Sequence, residues 1–259
     1  MIASKAVESS DSWVRDLVYD MVFFLYYWGA HESGAAQAQL AWTAWRAQSG
    51  DEDLHVIRVT KLLGFYLRLL GRSKEGVAHN ERALAISRSA QIPDEELIDS
   101  MWQMAAALRH RGELGQALEL GEEAFARASD LFGPEDPTTL AAAHDYCVTL
   151  RLSGRFKAAR EIDEETARQH ELLYGPASGL TLNTLSALAS DIREAGDYPG
   201  ARALQESNYL THVTHFGETN ASTIGAALTL AVCRRRAGVV EEVRRSPSRR
   251  LSTSPPATA

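Results

Sequence analysis

Two cysteines, Cys147 and Cys233, are too few for a disulfide framework in a chain of 259 residues. Reduced, buried thiols and a cytoplasmic setting are therefore expected. Net basic charge is also lacking. The balance is -7, so no overall positive field is available to hold a phosphate backbone, and nucleic-acid binding is disfavoured. The first twelve residues are polar and carry no basic-plus-apolar leader pattern. The apolar run from Leu17 to Trp28 is short and interrupted by Asp20, well under the roughly 20 residues that cross a bilayer, so no membrane role is expected. No G-x-x-x-x-G-K-[ST] loop occurs, so no NTPase module of that kind lies in this chain. Serine, histidine and aspartate are present, but no nucleophile motif or acid–base constellation recurs at a meaningful spacing. The chain is expected to have no enzymatic activity and no cofactor.

What the chain does contain is repetition. Gly29, Gly71, Gly112, Gly154, Gly196 and Gly238 recur at intervals of 42, 41, 42, 42 and 42 residues. Gly50, Gly133, Gly175 and Gly217 fall 21 residues after four of them. A fixed period of this size signals stacked repeats. Eight residues before the first set stand Met21, Leu63, Met104, Tyr146, Leu188 and Leu230. Four residues before it stand Leu25, Leu67, Leu108, Leu150, Ile192 and the exception Arg234. Positions four apart share a helix face, so these columns predict the buried stripe of an amphipathic helix.

Seven residues before the glycine the side chain is never large (Val22, Gly64, Ala105, Cys147, Ala189, Ala231). Five after it the column reads Gly34, Gly76, Ala117, Ala159, Ala201 and Val243. Small residues at matched positions of consecutive helices let the backbones approach. The glycine suits the left-handed position that ends a helix. Each unit then reads as helix, turn, helix, loop, and about six antiparallel hairpins make an all-α solenoid. The expected organisation is a disordered segment over 1–12, a repeat array over 13–243 and a disordered basic, Ser/Pro-rich tail over 244–259. Arg234 marks the weakening of the sixth repeat, whose second helix begins with VVEEV.

The phrasing LFGPEDPTTLAAAHDYCVTLRLSGRFKAAREIDEET (131–166) and LTLNTLSALASDIREAGDYPGARALQE (180–206) resembles tetratricopeptide repeats of the longer, kinesin-light-chain subclass. The resemblance covers roughly 13–243 and is most specific for repeats three to five. It implies a right-handed superhelix whose first helices line a concave groove. More narrowly, the chain looks like actinobacterial arrays that accompany NB-ARC-type switch domains or FxSxx-COOH peptide-modification systems, and so bacterial. The resemblance thus implies a scaffold that binds a protein or peptide. Its alternatives are the sensor half of a nucleotide-dependent switch and an accessory substrate-delivery subunit. The subclass carries peptide-holding asparagines nine or ten residues before the turn glycine. This chain departs from it with Trp102-Gln103, His144-Asp145, Ser186-Ala187 and Leu228-Thr229.

Two sets of candidate residues follow. Arg68, Arg109, Arg151, Arg193 and Arg235 stand three residues before the turn glycine. On the first helices they are expected to line the groove and fork onto carboxylates; the alternative is that they merely offset helix dipoles in water. Repeat one holds four of the five tryptophans, and Trp13, Tyr27, Trp28, Trp42 and Trp45 form a candidate apolar contact surface. Core packing accounts for some of these rings. The excess points to a partner, a homodimer or an upstream domain. His212 and His215 lie three apart, but with no third ligand nearby a metal site is not expected.

Overall fold

The computed structural model describes residues 4–238, save the side chains of Ser4, Lys5 and Tyr27. The expected tail over 244–259 and the second helix of repeat six, starting at Val239, lie outside the described residues. Within them the chain is all-α with no strand: the helices are α1 (Ser4–Val7), α2 (Ser12–Tyr27), α3 (His31–Ser49), α4 (Leu54–Leu69), α5 (Ser73–Ser89), α6 (Asp94–Arg111), α7 (Leu114–Phe132), α8 (Pro137–Leu152), α9 (Phe156–Tyr174), α10 (Gly179–Glu194), α11 (Tyr198–Phe216) and α12 (Ala221–Arg236). The order is the helix–turn–helix alternation that the glycine period predicts, and the chain is a helical-repeat solenoid. The described residues form two compact units, divided between Ser153 and Gly154.

The turn glycines adopt the left-handed backbone the sequence demands, Gly112 closing α6 at φ 82. All ten periodic glycines have positive φ, and among the described residues no other does. A second column, not read from the sequence, starts the first helices. Asp11, Asp53, Asp136, Ser178 and Asn220 each accept a hydrogen bond from the backbone N–H groups of the turn that follows. Such caps satisfy donors that have no partner within the helix.

In the first unit one core joins α1–α4 through Val18, Val22, Ala38, Trp45, Val59, Leu63 and Tyr66. A second joins α5–α8 through Val77, Ile98, Met101, Met104, Ala117, Ala124 and Ala142. The small-residue columns do what their size permits. A Cβ on Gly64 would stand 2.8 Å from the Gly76 carbonyl oxygen, and one on Gly76 would stand 2.6 Å from that of Gly64. In the second unit Leu188, Ile192, Ala201 and Cys233 form one core cluster. Both cysteines are buried and neither is in a disulfide.

Three details differ from the sequence reading. Residues 4–7, placed in the disordered N-terminal segment, form a helical turn whose Val7 is buried and accepts the Trp45 Nε1–H bond at 2.9 Å. Helix α2 already begins at Ser12. Arg234, in an apolar column, is accommodated because its Nε lies 3.0 Å from Glu206 Oε1 on α11.

Candidate functional site

The arginine column divides according to what the following repeat offers. Counting back from the turn glycine, an arginine at the third position meets the ninth and fifth positions of the next first helix. Arg109 on α6 meets Asp145 and Thr149 on α8. Its Nη2 donates to Asp145 Oδ1 at 2.6 Å and its Nη1 to Asp145 Oδ2 at 2.7 Å. Nη1 also donates to Thr149 Oγ1 at 2.9 Å. Both partners are largely buried, so this bidentate fork ties repeat three to repeat four. Asp145 stands where the resemblance placed a peptide-holding asparagine, and it is committed to Arg109.

Arg68 on α4 occupies the same column one repeat earlier, but the matching positions on α6 are Gln103 and Ala107. Neither presents a carboxylate. Arg68 is only 9% exposed, and its Nε and Nη1 are buried without a hydrogen-bond partner. Its guanidinium lies 5.9 Å from the centre of the Phe65 ring. Burial, then the nearby Arg109 charge, pull its pKa down to about 10, with Asp145 opposing only in part. His110 lies in the same positive field: burial, Arg68 and Arg109 all hold its pKa below the ordinary histidine value.

The remaining arginines differ again. Arg193 sits beside Glu194 at 2.7 Å, with Nη1 3.9 Å from Cys233 Sγ. Arg151 is half-buried and has a partner, and Arg235 is exposed.

The aromatic surface sorts in the same way. Trp45 is core, fully buried beneath Arg15. Trp42 is half-buried between Arg46 and an edge contact with His79. Trp13 and Trp28 are exposed, and the Tyr27 side chain lies outside the described residues. The exposed rings belong to a longer stripe on α2: Trp13, Leu17, Met21, Phe24 and Trp28, spaced four, four, three and four apart. Leu17, Met21 and Phe24 are 47%, 44% and 56% exposed. They line a groove of about 740 Å³ together with Asp20, Leu25, Ser33, Ala36 and Gln37.

The columns explain this groove. Leu17, Met21 and Phe24 align with Val59, Leu63 and Tyr66 on α4, Ser100, Met104 and Ala107 on α6, and Ala142, Tyr146 and Thr149 on α8. Every one of those later residues is buried. On α4 the cover includes the small-residue side of α3, where the Tyr66 ring lies against Gly34. Helix α2 presents the same face with no hairpin before it among the described residues. The sequence located the excess of aromatics but did not single out Leu17, and it placed Met21 in the buried stripe; Met21 is 44% exposed because no hairpin covers this face of α2 among the described residues.

The charged cluster between α4 and α6 is paired internally. Buried Lys61 pairs with Glu96 and Asp99, and Arg58 Nε lies 2.8 Å from Glu96 Oε2. Burial pushes the Glu96 carboxyl up, but Lys61 and Arg58 outweigh it and hold the group below its usual value. Burial raises Asp99 instead. Among the described residues no three His, Cys, Asp or Glu side chains are grouped to hold a metal, and no helix is long and apolar enough to cross a membrane. His212 is buried, not a surface ligand, and neither ring nitrogen has a hydrogen-bond partner.

Comparison with known proteins agrees with this architecture. A tetratricopeptide-repeat family model matches residues 96–169. The fold is similar to BtubC from P. vanneervenii, with a TM-score of 0.71 at 15% identity over 89% of this chain and 96% of that one. It is also similar to a Podosopora anserina kinesin-light-chain-like repeat protein, with a TM-score of 0.64 at 20% identity over 75% and 92%. The Rap conjugation regulator of plasmid pLS20, solved with the Phr* peptide, gives 0.60 at 14% identity over 90% and 74%. No curated protein sequence matches the chain.

Proposed function

We propose that the chain, whose residues 96–169 match a tetratricopeptide-repeat family model, acts as a non-enzymatic, protein-binding scaffold that docks a helical partner on the open face of α2. One observation carries this reading: Leu17, Met21 and Phe24 are exposed at positions that are buried in every later repeat of the first unit. A contiguous apolar face rimmed by polar groups is characteristic of an interaction surface. Its complement follows from the repeats themselves. Second helices cover such faces with stripes of small residues, as in Gly34, Ala38 and Ala41 on α3 or Ala117, Gly121 and Ala124 on α7. The partner helix therefore carries glycine or alanine at i, i+4 and i+7, with a cation placed for Asp20, which lines the groove. The peptide held by the Rap relative supports a polypeptide ligand in general terms.

A photo-cross-linker at position 24 of the full chain tests this in lysate of the source organism. A discrete cross-linked protein is expected, with the adduct on a helix of that small-residue pattern. It should disappear when Leu17→Ser and Met21→Ser are added. Equal cross-linking with and without those two substitutions, or an adduct to a second copy of the chain, would overturn the reading.

A further inference from the structure

We propose that the partner helix docks antiparallel to α2 over at least about three turns, with its C-terminal end next to α1. The inference rests on the scaffold reading above and fixes the polarity, length and register of the helix that the site accepts. It starts from the spacing of helix ends. Helices α3, α5, α7, α9 and α11 end at Ser49, Ser89, Phe132, Tyr174 and Phe216. Each end lies four residues before the N-cap position of the next first helix. Helix α1 ends at Val7, four residues before Asp11, the N-cap of α2. The single turn Ser4–Val7 therefore stands where a second helix has its last turn. It is fixed there by three consecutive carbonyls. Those of Val7, Glu8 and Ser9 accept from Trp45 Nε1 at 2.9 Å, Gln48 Nε2 at 3.0 Å and Arg15 Nε at 3.1 Å. Val7 packs into the core with Val18 and Trp45, and the open stripe of α2 continues beyond that turn.

Direction follows from the junction whose face is most alike. Val59, Leu63 and Tyr66 on α4 match Leu17, Met21 and Phe24, with an aromatic ring third in both. Their cover, α3, runs antiparallel to α4. The Tyr66 ring lies against Gly34 near the start of α3. The Trp45 ring, near the end of α3, lies 6.0 Å from that of His55 at the start of α4. Carried back one repeat, with α1 as the end of the cover, this order sets the small residues at i, i+4 and i+7 opposite Phe24, Met21 and Leu17. The stripe from Leu17 to Trp28 is about 17 Å long, which sets the three-turn minimum. The antiparallel arrangement also opposes the dipoles of the two helices, which favours it electrostatically.

The probe is a blocked peptide that copies His31–Trp42 of α3, HESGAAQAQLAW, whose Gly34, Ala38 and Ala41 carry the required spacing. It is made with a nitroxide at its N-terminal or its C-terminal end and titrated into the isotope-labelled full chain. The indole N–H signals of Trp13 and Trp28, exposed at opposite ends of the stripe, report its direction by NMR. Saturable binding is expected. The C-terminal label should broaden the Trp13 signal and the N-terminal label that of Trp28. Leu17→Ser with Met21→Ser in the chain should remove both effects. Gly34→Leu with Ala38→Leu in the peptide should weaken binding at least about tenfold, because bulk at those places holds the helices apart. No saturable binding, the reversed pattern of broadening, or equal affinity of the leucine peptide would overturn the inference. Cross-linking at position 24 is read in parallel. An adduct on a small-residue helix combined with any of those results defeats the antiparallel register alone. Oriented peptide binding without such an adduct defeats the scaffold reading.

Discussion

Arg68 and Arg109 stand at one place on consecutive first helices and lead opposite lives. Arg109 is bonded into the next repeat through Asp145 and Thr149. For Arg68 the matching positions hold Gln103 and Ala107, and two of its buried nitrogens have no hydrogen-bond partner. The second unit repeats the contrast. His170 meets Thr184 Oγ1 at 3.0 Å, whereas for His212, one period later, the matching position holds Ala226 and neither ring nitrogen has a partner. In a repeat protein the period copies a residue, but the neighbouring repeat decides whether that residue is glue or is left unpaired.

The contrast can be broken most severely at Asp145. Asp145→Ala strands the Arg109 charge at a largely buried position and should cost about 3–5 kcal/mol, measured by urea unfolding. Arg68→Ala should cost far less, because no ion pair is lost there. Equal costs would erase the distinction between the two junctions. A smaller effect is expected where the Arg68 junction is tightest. Gly64→Ala forces a methyl group against the Gly76 carbonyl and the Asn80 side chain, at about 1–3 kcal/mol. A neutral result would show that the α4–α5 crossing opens freely and does not hold the Arg68 stem.

The mildest effect belongs to His212. Burial holds its pKa below the ordinary 6.5. The unfolded chain therefore binds a proton more readily than the folded one. Stability should be complete above about pH 6.5 and decline as pH falls through that value, levelling only below the folded pKa. Ala226→Thr, restoring the partner that His170 has, should shrink this pH dependence in thermal unfolding between pH 7 and 5. An unchanged profile would mean that the missing hydroxyl is not what sets His212 apart.

The fold was largely legible because glycine conformation and helix periodicity are local. Gly112 needs positive φ whatever surrounds it, and Leu63 and Leu67 share a face by spacing alone. The sites were legible only in part. The arginine column is visible in sequence, but Arg109 and its acceptor Asp145 are 36 residues apart in different columns, and only stacking brings them together. The aromatic count of repeat one drew attention to α2, yet Trp45 went into the core to meet Val7. The aliphatic Leu17 and Met21 stayed outside. Which residues of a face are open depends on whether a hairpin covers it, and a single repeat's sequence does not state that.

The most direct test is a double-mutant cycle between Arg68 and Gln103, read by urea unfolding of the full chain. With Gln103→Asp in place, Arg68 should acquire the bond it lacks, giving a coupling of about 1.5–3 kcal/mol with Arg68→Gln and a stabilised single mutant Q103D. A coupling near zero would show that Arg68 does not point at the vacant acceptor position, and the account of copied residues with missing partners would fail.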